Sequence, residues 1–230
     1  MKVNECSSGH LDLKAIKCTP LNREPFQYLV VPGFIRSETL PSIHKDYPEI
    51  AQPGSFPVQG LRYGPAFAML LEELRGPALR AAFEKKFELD LTDRPIMITA
   101  RGQSGTRDGN IHTDAVSKII TILIYMNPRW EDGGGRLRLL RSAHDIDDVL
   151  VEIPPVEGTL VAFRRSDNSY HGHKPFIGPR RVIQVNWVTD KGTRNREIWR
   201  HRVSAWLKRG LALFRQNRYT AAPEPVEQPY

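Results

Sequence analysis

Between residues 94 and 188 the apolar positions come in short runs, rich in Ile, Val and Thr, divided by clusters of Gly, Pro, Asn and Asp. Six such runs, "RPIMITARG", "KIITILIYMN", "GRLRLLRS", "VLVEIPP", "GTLVAFRR" and "RRVIQVNWV", read as β-strands. No helical pattern falls between them, which predicts a sandwich or barrel rather than a parallel α/β sheet. The preceding residues are patterned differently. "FQYLVVPGFI" reads as a short strand ending at Pro32-Gly33. "SETLPSIHKDYPEI" reads as a helix with Ser37 as N-cap and Pro48 near its end. "PAFAMLLEELRGPALRAAFEKKF" reads as a longer amphipathic helix interrupted at Gly76-Pro77. Helical periodicity returns after Asp190, where Trp199, Val203 and Trp206 stand at i, i+4 and i+7. The expected class is mainly β with flanking helices (α+β). Segment 1–93 supplies a strand and helices packed on the core, and 94–190 is the strand-rich domain. Segment 191–218 is a basic amphipathic helix, and 219–230 is a disordered Pro-rich tail.

Composition narrows the class without choosing a function. A chain of 230 residues, 40% hydrophobic and 26% charged, is an ordinary globular protein of one decorated domain. No apolar run has the length of a membrane span, and "MKVNECSSGHLD" lacks the apolar core of a signal peptide. Cys6 and Cys18 form neither a Cys-x-x-Cys nor a disulfide framework, so the expected location is the cytoplasm. The net charge of +7 is concentrated: from Lys191 to Arg218 nine Lys or Arg face the single acid Glu197. The remainder is therefore near neutral, unlike a uniformly basic nucleic-acid-binding domain. A basic helix with two tryptophans suits an anionic membrane or glycan surface instead, or packs its apolar side on the body.

The candidate chemistry sits in the strand-rich region. His112 and Asp114 stand two apart in "GNIHTDAVSK", just ahead of an apolar strand, where positions i and i+2 share a face. A second pair, His10 and Asp12, lies outside that region and reads as accidental. Further on, "SDNSYHGHKPFIGPRRVIQVNWV" carries His171, His173, Arg180 and Arg181. Two histidines and one carboxylate on one side of a metal leave the other side open, as non-haem Fe(II) chemistry requires. A structural zinc site would call for four ligands, usually including Cys. A nearby arginine could hold a dicarboxylic cosubstrate through a bidentate, charge-assisted pair. "EDGGGR" is most simply a turn, since no helix follows to make it a phosphate cradle.

In the order His-x-Asp, some sixty residues, His, then Arg, the chain resembles the 2-oxoglutarate and Fe(II)-dependent oxygenases of the prolyl 4-hydroxylase type. "KIITILIYMNPRWEDGGGRLRLL" is similar to that family's strand with its Tyr-Leu-Asn, Trp corner and Gly-Gly, and "SYHGHKPFIGPRRVIQVNW" to its distal His, Pro, Arg and aromatic-ended strand. The resemblance implies a double-stranded β-helix (jelly roll) with helices against its major sheet, and Fe(II) on His112, Asp114 and His171. It implies 2-oxoglutarate with its far carboxylate on Arg181 and Tyr125, O2 at the remaining position, and hydroxylation with release of succinate and CO2. Pro175, four residues on, favours His171 over His173 as ligand, leaving His173 beside the metal or lining the pocket. The family spacing to Trp187 favours Arg181 over Arg180, which on an alternating strand points the other way. Where many relatives have Tyr, this chain reads "ITARGQSG", so Arg101 or Gln103 is expected to face the pocket. The substrate, a peptidyl-prolyl group, a sugar or a small metabolite, is not specified. A non-catalytic jelly roll binding carbohydrate and a zinc hydrolase with the same triad are the competing readings.

Overall fold

The computed structural model describes residues 9–190 and residue 192. The basic helix expected at 191–218 and the tail at 219–230 lie outside the described residues. Two antiparallel sheets form the body. Strands β1 (Tyr28–Val31), β2 (Phe56–Pro57), β3 (Ile96–Ser104), β4 (Lys118–Tyr125), β7 (Leu160–Arg164) and β9 (Gly178–Val188) make a six-stranded sheet in the order β1-β7-β4-β9-β3-β2. Strands β5 (Leu137–Leu140), β6 (Val149–Ile153) and β8 (His171–Gly172) make the smaller sheet in the order β6-β5-β8. All six apolar runs are strands. The fold is the double-stranded β-helix with flanking helices.

The larger sheet has two faces of different character. Ile98, Ala100, Ile120, Ile122, Ile124, Ile183, Val185 and Trp187 point outward into the main core, which includes Phe67, Leu70, Phe83 and Phe87. Those last four belong to α3 (Pro65–Arg75) and α4 (Pro77–Phe87). Gly76-Pro77 divides the two helices because proline at the first position of α4 cannot continue the hydrogen-bond ladder of α3. The opposite face looks into the roll, where Tyr125, Leu137, Leu139, Val161, Phe163 and Val182 form a smaller inner cluster. The side chains that face the cavity alternate with those that face the helices, so strand parity decides which residues reach the site.

Two local expectations are corrected. Ser37 does not cap a helix; it begins a 3-10 turn, Ser37–Thr39, that leads into α2 (Leu40–Asp46). Pro41 occupies the first turn of α2, where its missing N–H is harmless, and Tyr47 ends the helix in extended conformation ahead of Pro48. The short helix α1 (Leu13–Cys18) was not foreseen, and it explains Asp12: its carboxylate accepts the Ala15 amide as N-cap. The His10-x-Asp12 pair is thus built into a helix start. His10 itself is buried with both ring nitrogens unpartnered, and its amide donates to Glu73.

Candidate metal centre

His112 and Asp114, from the loop before β4, and His171, which begins β8, meet in one cluster. The ligand-capable atoms of the three lie within 4.8 Å of one another, and no other such group of His, Cys, Asp or Glu occurs among the described residues. The two histidines are locked together by their backbones: the His112 amide donates to the His171 carbonyl at 3.1 Å, and the His171 amide returns to His112 at 3.0 Å. Their rings lie 4.3 Å apart, centroid to centroid. In each ring Nδ1 is engaged by a nearby carbonyl, Asn110 for His112 and Ser169 for His171, both at 2.9 Å. A neutral imidazole that donates from Nδ1 keeps its lone pair on Nε2, the state in which histidine binds a metal.

Asp114 is held as an anion before any metal arrives. Burial pushes its pKa up, but the adjacent Lys118 ammonium, His171 and the hydrogen bonds from Lys118 and Thr121 outweigh that and hold it at about 2. Lys118 donates to one carboxylate oxygen and the Thr121 hydroxyl to the other. The chain of support runs further: the Gln184 amide donates to Asn186 at 3.0 Å, and Asn186 donates to the Thr121 hydroxyl at 2.7 Å. Register makes this possible, since Thr121 on β4 is paired with Asn186 on β9. Sequence reasoning missed Lys118, Thr121, Gln184 and Asn186. The detectable signal was polar residues recurring on one parity of strands that are otherwise apolar.

Burial first, then the His112 ring and Lys118, lowers the His171 pKa to about 4 despite the pull of Asp114. Burial, then Arg180, brings His173 to about 4 as well. Both rings are therefore neutral in the fold at pH 6 and charged in the unfolded chain below about 6.5. The unfolded state binds more protons between these values, so stability falls as pH drops through that window. Metal-free protein is expected to hold its denaturant midpoint from pH 8 to 7 and to lose on the order of 1 kcal/mol per pH unit for each ring from about 6.5 towards 4. A midpoint that stays level to pH 4.5 would contradict this.

The triad opens onto a cavity of about 400 Å³, lined by residues that include Thr99, Arg101, Lys118, Leu123, His173 and Arg180. Here the strand register corrects one expectation. Arg180, Val182 and Gln184 face the cavity. Arg181 is on the other face with Ile183 and Val185, its guanidinium 5.3 Å from the centroid of the Tyr47 ring. Arg180 is 5% exposed and makes no ion pair among the described residues; its Nε donates to the Gly135 carbonyl at 2.8 Å. Gly135 takes φ +69, and a Cβ there would come 2.7 Å from the Trp130 ring, so glycine is required for that turn to present its carbonyl. The Arg180 guanidinium lies 5.6 Å from the centroid of Tyr125, whose fully buried hydroxyl lacks a hydrogen bond of good geometry. A buried guanidinium with no carboxylate in ion-pair range among the described residues, set against a tyrosine hydroxyl, is an arrangement suited to an anionic ligand.

The remaining expected residues divide. Arg101 faces the cavity and is paired with Asp108 at 2.6 Å. Gln103 does not line it, because the ladder between β3 and β9 slips between Arg101 and Gln103. His173 lines the cavity outside the triad, its amide on the Gly109 carbonyl at 2.9 Å. Gly109 sits at φ +102, where a Cβ would meet the His173 carbonyl at 2.3 Å. Tyr125 lies beneath Arg180, in the inner cluster.

Comparison with known proteins agrees with this geometry. Residues 101–189, which span β3 to β9 and hold all three triad residues, match the family model described as "2OG-Fe(II) oxygenase superfamily". No curated protein matches the chain. Among solved structures, a Pseudomonas putida prolyl-4-hydroxylase aligns over 78% of this chain and 92% of its own, with 16% identity and a TM-score of 0.51. A Trichoplax adhaerens prolyl hydroxylase, solved with a fragment of the hypoxia-inducible-factor oxygen degradation domain, covers 73% and 86% at 18% identity and TM-score 0.48. HygX from Streptomyces hygroscopicus, solved with nickel and 2-oxoglutarate, covers 71% and 82% at 14% identity and TM-score 0.45. Residues 101–189 are thus similar to the 2OG-Fe(II) oxygenases, a class whose name gives Fe(II) and 2-oxoglutarate as its cofactors. No helix among the described residues is long and apolar enough to cross a membrane.

Proposed function

We propose that this protein is an Fe(II)- and 2-oxoglutarate-dependent hydroxylase. The observation that carries the reading is a three-donor cluster and a buried guanidinium without an ion pair among the described residues, both in one cavity. The donors suit the metal: two imidazoles and one carboxylate on a single side would leave the other side of a bound ion open. His112 and His171 would bind through Nε2 and Asp114 through a carboxylate oxygen, with Arg180 and the Tyr125 hydroxyl receiving the far carboxylate of 2-oxoglutarate. Bound together, these cofactors supply oxidation of a substrate C–H bond to C–OH, coupled to conversion of 2-oxoglutarate and O2 into succinate and CO2. The protein's own residues bind, orient and shield. The Thr121–Asn186–Gln184 chain fixes Asp114, the two carbonyls fix the imidazole tautomers, and Leu123 and Val182 add apolar lining to the cavity. Because Asp114 supplies the third donor, no position is left for a halide, which favours hydroxylation over halogenation. A carbohydrate-binding jelly roll would have no use for a buried Arg180.

Under anaerobic conditions, Fe(II) followed by 2-oxoglutarate is expected to give a weak visible charge-transfer band at one iron per chain. Admission of air should then release succinate. Protein that binds iron yet shows no band and no succinate release would overturn the reading.

A further inference from the structure

The iron and 2-oxoglutarate reading accounts for the inner end of the cavity and leaves positive charge at its mouth. Four lining side chains are cationic, Arg101, Arg107, Lys118 and Arg180, against two carboxylates, Asp108 and Asp114. Arg101 is engaged by Asp108, which also accepts the Gly105 amide at 2.9 Å. A dication and a dianionic cosubstrate cancel each other, with Arg180 facing the far carboxylate. Arg107 is exposed and has no ion pair among the described residues. Lys118 is the only Lys or Arg ion-paired with Asp114 among the described residues, and must share that carboxylate once a metal binds. The loaded cavity therefore keeps two cationic groups more than its anions match, inside walls where charges are screened less than in water.

We propose that the substrate of this site carries a carboxylate or phosphate group close to the carbon that is oxidised, and that Lys118 and Arg107 receive it. The proposal rests on the iron and 2-oxoglutarate reading and narrows its substrate class. The cavity, about 400 Å³ before the cosubstrate enters, is at the small end of ligand sites, so the anionic group and the reacting carbon must lie on one compact moiety. Lys118 is the shorter route to the metal, four residues from Asp114 and hydrogen-bonded to it, whereas Arg107 is free to meet the ligand from the solvent side.

The test is anaerobic calorimetry on protein loaded with Fe(II) and saturating 2-oxoglutarate, with the charge-transfer band monitored to show that the cosubstrate stays bound. Glycerol 2-phosphate against glycerol forms the phosphate arm; N-acetylglycine against N-acetylglycinamide forms the carboxylate arm. In at least one arm the anion is expected to bind about 10- to 100-fold more tightly than its neutral partner, the range of a hydrogen bond to a charged group. Whichever arm shows the preference names the anion. Arg107→Gln should weaken that preference severalfold while the band persists, and Lys118→Met should weaken it further. If Lys118→Met no longer takes up iron, Arg107→Gln alone decides. Equal binding of anion and neutral partner with the band intact would overturn the proposal and leave the iron reading standing. So would a preference that Arg107→Gln leaves unchanged. Failure to form any band would remove the reading and the proposal together.

Discussion

Arg180→Met is expected to abolish 2-oxoglutarate binding at concentrations that saturate the unaltered protein, while Arg181→Met leaves it within about twofold. Losing a charge-assisted pair to a buried carboxylate costs about 2 to 5 kcal/mol, hence at least a ~30-fold rise in the cosubstrate requirement. The second half of this prediction separates binding from folding. Burial lowers the Arg180 pKa, outweighing the pull of Tyr125 and of the more distant Asp108, as expected of a cation that has lost water without a close ion pair. Replacing such a charge with an apolar side chain of similar length should leave the Tm of the cosubstrate-free protein unchanged or raised. A fall of many degrees in Arg180→Met would show that Arg180 holds the fold, and normal 2-oxoglutarate titration in that variant would remove it from the site. Arg181 has no comparable role, since its side chain sits over Tyr47 on the helix-covered side.

The choice between two adjacent arginines shows what strand patterning can and cannot deliver. Parity was readable: Arg181, Ile183, Val185 and Trp187 share one face and Arg180, Val182, Gln184 and Asn186 the other. The spacing to Trp187 pointed to Arg181, while in this structure it is the parity of Arg180 that faces the cavity. In this jelly roll the deepest hydrophobic face of the major sheet is the one covered by α3 and α4, while the inner face near the site is partly polar. The same rule holds on β3, where Thr99 and Arg101 line the cavity and Ile98 and Ala100 face the helices. It holds on β4 too, where Thr121 and Leu123 face inward between Ile120, Ile122 and Ile124. Longer strands and the Gly76-Pro77 break were legible because period and breakers are local properties. Strands of two residues, such as β2 and β8, leave too little pattern to recognise. The partners of Asp114 were invisible for another reason: Thr121 and Asn186 are 65 residues apart and meet only through register.

That register underlies the largest effect expected at the site. Asp114→Ala should eliminate stoichiometric iron binding and also destabilise the metal-free protein, by about 3 kcal/mol. Two groups lose their acceptor at once, because Lys118 and the Thr121 hydroxyl both donate to that carboxylate. Lys118 is 13% exposed and would be left as a largely buried ammonium without a counter-charge. Thr121→Val provides the contrast. It keeps the carboxylate and the Lys118 pair but removes the hydroxyl that links Asp114 to Asn186, so iron should still bind, about 10- to 100-fold more weakly. Adding Lys118→Met to Asp114→Ala should recover much of the lost stability without restoring iron, since the stranded charge is gone while the ligand remains absent. Denaturant midpoints for the four proteins, read beside iron stoichiometry, separate the two roles of Asp114. Unchanged iron uptake in Asp114→Ala would dismantle the triad. A double variant no more stable than Asp114→Ala would mean that the destabilisation comes from the cavity and the unpaired Thr121 rather than from Lys118.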